Sequence, residues 1–261
     1  MPKPANREDE DLSDAHTKMP SLSGRKAIVT GGTTGIGRAI AVLLASEGVD
    51  VFVCGRNEQH LADGLQRIRE VGKGDGISVD LADDDGVEHF VDAAKAYFGG
   101  GFDVAIVNAA IPAKGVTKMT ASELRYAVAV DFTAYLATAN AAVEVMEDFG
   151  DIVFIGSMSA HVLGPGSSVY AGMKAGIAGF SEALRKELGK QGIKVSNVEP
   201  GKTGADFQYS KFSAEEQAEQ INKEWMLRAE DIAVAVHFVL TQPRRSVVQQ
   251  VTVAPRTQED E

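Results

Sequence analysis

Lys26-Ala27-Ile28-Val29-Thr30 runs straight into Gly31-Gly32-Thr33-Thr34-Gly35-Ile36-Gly37, and a helical pattern follows over 36–46. An apolar, partly β-branched run, a glycine-rich turn and a helix in that order make a strand–turn–helix unit. The same alternation continues outward to the C-terminus. Strand patterns fall at 51–54, 76–79, 103–107, 152–155, 194–198 and 247–253, and helical patterns between them at 57–71, 84–97, 121–146, 168–189 and 229–240. Near-continuous apolar strands alternating with helices predict an α/β fold, a parallel sheet with helices on both faces. Right-handed crossovers make such a sheet doubly wound, with ligands beyond the carboxyl ends of its strands.

The opening turn then acquires a chemical meaning. Its glycines permit positive φ and close approach of backbone to a ligand. The helix start presents unpaired N–H groups and a positive dipole end to a pyrophosphate. The spacing is GxxxGxG rather than GxGxxG, and its place after the first strand favours a cofactor over a purely structural turn. The second strand ends in Cys54-Gly55-Arg56-Asn57. No acid follows it to bond a ribose 2′-hydroxyl, whereas Arg56 is suited to a 2′-phosphate, which points to NADP rather than NAD. Asp80, before Leu81, either bonds the adenine amino group or caps the next helix.

Tyr170-Ala171-Gly172-Met173-Lys174 sets a tyrosine and a lysine four residues apart, on one face of a predicted helix. A free phenol is too weak an acid for proton transfer near neutral pH, and a neighbouring ammonium makes it stronger. Ser157 ends the fifth strand, in Phe154-Ile155-Gly156-Ser157. A strand end and the helix after it converge on one crevice, so the hydroxyl is placed to hold a substrate oxygen beside the phenol.

Taken together in this order, the glycine-rich turn, Asn108-Ala109-Ala110, Ser157, Tyr170, Lys174 and Pro200-Gly201 resemble the short-chain dehydrogenase/reductases of the NADP-preferring kind, over about 22–258. The resemblance implies a single-domain Rossmann-type sheet of about seven strands over 22–261, and hydride transfer between a nicotinamide and a small alcohol or carbonyl substrate. It implies cofactor contacts from Gly31, Thr33, Thr34, Gly35, Ile36 and Gly37, from Arg56, Asp80 and Leu81, from Asn108 and Ala109, from Tyr170 and Lys174, and from Pro200, Gly201 and Thr203. Ser157, Tyr170 and Lys174 are the implied catalytic set, with Asp131 in the position of a fourth member. Ser159 and Phe207 join Ser157 as implied substrate contacts. Homodimers or homotetramers built through the long helices are also implied, and small residues at Ala171, Ala175, Ala178 and Gly179 accord with them. Short segments around Val198-Glu199-Pro200-Gly201, Gly204-Ala205-Asp206-Phe207 and 253–258 are similar to members acting on 3-hydroxy acids or serine-like alcohols.

Two departures stand out. The family's Asn-Asn-Ala-Gly is Val107-Asn108-Ala109-Ala110 here, which predicts altered packing with activity kept. Asp131 replaces the family's asparagine, whose backbone carbonyl holds a water that joins the lysine to solvent. An aspartate still offers that carbonyl, but its carboxylate is also able to pair with Lys174. The rival reading that these departures support is a regulatory protein that binds NADP without turnover; broad ketone or aldehyde reduction is the alternative within enzymes.

Composition narrows the partners. Twenty-six basic against 37 acidic residues give a net charge of −11, which disfavours nucleic acid and anionic membranes. The lone Cys54, in an apolar run, reads as a buried thiol, and no Cys/His cluster suggests a metal. Residues 1–21 read as an acidic, disordered tail without a signal-peptide core, and the protein as cytoplasmic. The polar stretch 202–224 resembles a mobile lid, and His161 a solvated loop residue outside the catalytic set.

Overall fold

The computed structural model describes residues 19–146, 149–204 and 212–257. In chain order they form β1 (Lys26–Thr30), α1 (Gly35–Ser46), β2 (Asp50–Gly55), α2 (Glu58–Val71), β3 (Lys73–Ser78), α3 (Gly86–Phe98), β4 (Val104–Val107), α4 (Ala121–Val128), α5 (Ala134–Val145), β5 (Gly150–Ile155), α6 (Ser168–Leu188), β6 (Ile193–Pro200), α7 (Ala214–Asn222), α8 (Ala229–Leu240) and β7 (Gln250–Val253). Every strand pairing is parallel, in the order β3-β2-β1-β4-β5-β6-β7. This is the Rossmann-type doubly wound sheet that the alternation predicts.

Side chains alternate across each strand, so neighbouring β1 residues feed opposite cores. Val29 packs with Ile40 and Leu44 of α1 and Ile232 and Val236 of α8. Ile28 packs on the other face with Phe90 of α3, Phe154 of β5 and Ile177 of α6. Each such side chain contributes about 1.5–3 kcal/mol by leaving water, so a charge at either position would be severely destabilising. The winding direction reverses between β1 and β4, and a crevice opens at that reversal.

Two elements differ from expectation, and a third adds a helix to a stretch read as polar. β3 begins earlier, at Lys73, because its Gly74 and Gly76 lie so close to Ile68, Val51 and Val53 that no side chain fits there. A strand defined by tight backbone approach has no apolar pattern to announce it. The long helix expected over 121–146 is broken into α4 and α5 by a π-helical turn, Ala129–Thr133, which contains Asp131. The stretch read as a mobile lid contains α7, closed at its start by a reciprocal cap in which Ser213 Oγ accepts from the Glu216 N–H and Glu216 accepts from the Ser213 N–H. Among the described residues, no helix is long and apolar enough to cross a membrane.

Candidate active site

A crevice of about 410 Å³ lies beyond the carboxyl ends of the central strands. One wall is the β1–α1 turn. Gly31 and Gly35 have φ of +65° and +51°, and a Cβ on Gly31 would come within 2.8 Å of the Ala109 backbone. Asn108 braces this turn: its Nδ2 donates to the Thr30 carbonyl at 3.0 Å, and its backbone N–H donates to Thr30 Oγ1 at 2.8 Å. Thr34 precedes α1 without a side-chain cap, and the first turn has no acid. The N–H groups of the helix start therefore face the crevice with a positive dipole end and no capping side chain.

Thr33, Thr34, Gly35, Ile36, Leu81, Ala109, Pro200, Gly201 and Thr203 all line the crevice, as their predicted roles require. Gly37 does not. A Cβ there would sit 2.1 Å from the Gly31 carbonyl oxygen, so its task is to let α1 pack against the turn.

At the far end Arg56 is half exposed and 3.9 Å from Asp80. Tyr126 joins the two, its hydroxyl bonded to both side chains. Asp80 Oδ1 accepts from the Ala82 N–H at 3.0 Å, whereas α3 starts only at Gly86 after Asp85. Asp80 is thus not the helix cap that the sequence allowed. Asn57 caps α2 by accepting from the His60 N–H at 2.9 Å, and both residues line the crevice.

The inner wall carries the three residues expected to be catalytic. Ser157, Tyr170 and Lys174 all border the crevice and are 6%, 8% and 2% exposed. Ser157 stands at the mouth of a short 3-10 turn after β5, where its Oγ accepts from the Ser159 N–H at 3.1 Å. Ser159 itself does not line the crevice, and Phe207 lies outside the described residues. Tyr170 and Lys174 share a face of α6, with the ammonium 5.7 Å from the Tyr170 ring centre. Lys174 Nζ donates to the Ile155 carbonyl at 2.9 Å and to the Tyr135 hydroxyl at 3.1 Å. Burial lowers its pKa to about 8, and the negative charge of Asp131 works against that fall.

Asp131 lies behind Lys174, fully buried in the π turn. Its Oδ1 accepts from the Ile111 N–H at 2.7 Å, while Oδ2 has no hydrogen-bond partner among the described residues. Burial pushes its pKa up to about 6 despite the opposing charge of Lys174. π-helical turns inside α-helices are frequent at functional sites.

Tyr135, Tyr126 and His60 were missed by the sequence reading; each looks like an ordinary core or surface residue until the fold brings it to the site. His161 is not simply solvated. Its Nε2 lies 3.1 Å from the carboxylate of Glu199, which is wholly buried and also bonded by Gln250 and Asn197. Cys54 is buried, with its thiol pKa raised to about 12 by desolvation, as an inert core thiol should be. Among the described residues no cluster of His, Cys, Asp or Glu is suited to a metal ion.

Comparison with known proteins agrees with this geometry. The family model for short chain dehydrogenases matches residues 25–216. An uncharacterized oxidoreductase of Staphylococcus aureus is 31% identical over 245 residues, which is 91% of this chain and all of that protein. A short chain dehydrogenase from Burkholderia cenocepacia, solved in complex with NADP, superposes with a TM-score of 0.80 at 30% identity, covering 90% of this chain and 98% of that one. A variant of the actinorhodin polyketide ketoreductase, solved with NADPH, gives 0.79 at 28% identity, covering 91% and 98%. With the uncapped turn, the Ser157–Tyr170–Lys174 wall and these matches on one chain, the protein belongs to the short-chain dehydrogenase family.

Proposed function

We propose that this protein is an NADP(H)-dependent oxidoreductase that interconverts a small secondary alcohol, with 3-hydroxy acids as the favoured class, and its carbonyl. The observation that carries the reading is the placement of Tyr170 and Lys174 on one wall of the crevice whose opposite wall is an uncapped helix start.

The residues present fit the dinucleotide. The space that a Cβ on Gly31 would fill, together with the free N–H groups of α1, suits a pyrophosphate. Arg56, Asn57 and His60 supply a cation and polar groups at the distance end where a 2′-phosphate would sit. Proteins similar to this chain have been solved with NADP and NADPH, which supports the same choice here. When bound, the nicotinamide supplies or accepts the hydride.

The chain's own residues manage the proton. Ser157 holds the substrate oxygen through its hydroxyl. Tyr170 gives a proton to that oxygen during carbonyl reduction and takes it back during alcohol oxidation. Lys174, buried beside the ring, makes the phenol a stronger acid while it remains an ammonium. Exclusion of water by the buried wall strengthens each of these interactions. Assembly into homodimers or homotetramers is part of the proposal. It is supported by the open space at Gly172 and Gly179 on α6 and by the exposed Val234 and Phe238 of α8.

The test is an absorbance screen of NADP+ and NADPH against small hydroxy acids, other secondary alcohols and their carbonyl partners, repeated with NAD+. Turnover with NADP(H) and a small hydroxy acid or ketone is expected. Turnover faster with NAD(H) would overturn the cofactor assignment, and none with any substrate would overturn the enzyme reading.

A further inference from the structure

Tyr135 lies on α5, remote from Tyr170 and Lys174 in sequence, yet it is 1% exposed and its hydroxyl touches the ammonium of Lys174. The hydrogen-bond polarity of that contact is fixed by its surroundings. The Tyr135 hydroxyl lies 3.0 Å from the Asn108 carbonyl oxygen and 3.2 Å from that of Ile155. Carbonyls only accept, so the single phenolic proton is committed to one of them, and the phenolic oxygen presents a lone pair to Lys174. Lys174 must therefore be the donor at 3.1 Å, which it is best able to be as an ammonium.

We propose that Tyr135 is a positioning residue that keeps Lys174 protonated and aimed along the crevice wall, acting on Tyr170 through the lysine. The inference rests on the proposed roles of Tyr170 and Lys174 and adds a member that does not touch the substrate. Its ring reinforces the arrangement, with the ammonium 4.7 Å from the ring centre and the ring stacked on Phe154 at 6.3 Å. Burial holds the Tyr135 phenol well above its ordinary pKa, so it acts as a fixed dipole and not as a titrating group.

Among the described residues, the ionisable groups that bear on Lys174 are Asp131 in the π turn, Tyr170 on α6 and Tyr135 on α5, while β5 contributes the Ile155 carbonyl. Asp131 and Tyr135 favour the ammonium by different means, one by charge and one by a directed lone pair. Burial opposes both.

The experiment compares Tyr135→Phe with the parent protein. Phenylalanine keeps the stacked ring and removes only the hydroxyl, so the fold should persist. The direct readout is NMR of lysine labelled with 13C at Cε in the protein without added nucleotide, with the Lys174 resonance assigned by its loss in Lys174→Met. Loss of a hydrogen bond to a charged group should lower the Lys174 titration by about one pH unit or more, roughly tenfold in its proton affinity. The second readout is kcat/KM for carbonyl reduction against pH. Its alkaline limb should move to lower pH, because the form with both phenol and ammonium protonated is lost earlier. An unmoved Lys174 titration, or an activity loss equal at every pH, would overturn the proposal. Should Tyr170→Phe retain full activity, the catalytic reading would fall, while the NMR titration would still decide whether Tyr135 holds the lysine.

Discussion

Asp151, at the amino end of β5, and Asp131, beyond the carboxyl ends of the strands, are equally buried at 1% and 0% exposure, yet they live in opposite surroundings. Asp151 is met by Arg25 and Arg244 at 2.7 Å each and by Lys194 at 3.3 Å. Arg25 reaches on to Asp103, and Arg244 to the Gly150 and Gly192 carbonyls, so that end of the sheet is sealed by compensated charge. Asp131 has one backbone N–H and the charge of a lysine whose own hold on its proton is weakened by burial. A protein able to build the first arrangement has left the second unfinished behind the wall of its crevice. On the proposed function, the first end serves stability and the second serves chemistry.

Substitutions at the two ends should therefore fail in opposite ways. Asp151→Ala leaves three cations facing a void and should cost about 3–5 kcal/mol in stability. Denaturant unfolding would measure it, and kcat per folded molecule should hardly change. Lys174→Met, at the open end, should lower kcat/KM by about 10²–10³, equivalent to about 3–4 kcal/mol of transition-state stabilisation. Its thermal midpoint should fall less than that of Asp151→Ala, since relief from burying a cation offsets part of the two hydrogen bonds lost. A large fall in that midpoint would erase the contrast.

Asp131 gives a subtler separation. Its carboxyl titrates near 6 in the folded protein against an ordinary 3.8. Between about pH 4 and 6 the folded state therefore binds more protons than the unfolded chain, and stability falls as pH rises through that window. The fall attributable to this group is on the order of 2–3 kcal/mol, and urea titrations of Asp131→Asn across the window should show it removed. A pH dependence identical to the parent's would mean that the carboxylate is better compensated than its surroundings indicate. The smallest effect is expected at Arg56, half exposed and shared with Asp80. Arg56→Ala should reduce the preference for NADP over NAD by about tenfold, roughly 1.4 kcal/mol, in paired kinetic measurements.

The open end was far more legible in the sequence than the sealed one. Glycines at 31 and 35, Ser157, and the four-residue spacing of Tyr170 and Lys174 are local patterns, and a parallel sheet carries local patterns at strand ends to a common crevice. The helix Ala229–Leu240 was readable to the residue because its apolar face is continuous. The cluster around Asp151 joins residues from β5, β6 and the segments just before β1 and β7, and nothing in their spacing foretells it. Tyr135 escaped notice for a related reason: an aromatic inside an apolar helix reads as core, and only its contacts with Lys174 and the Asn108 and Ile155 carbonyls reveal what its hydroxyl does. His161 and Glu199, 38 residues apart, pair by the same kind of long-range contact.

The most direct test of the account is Tyr170→Phe, studied with NADPH binding and carbonyl reduction measured on the same preparation. Binding should stay within a few-fold of the parent while reduction falls by about 10²–10⁴, because only the proton donor has been removed. Reduction that continues at the parent's rate would contradict the assignment of the phenol, and with it the claim that the undercompensated end of the sheet exists to move a proton.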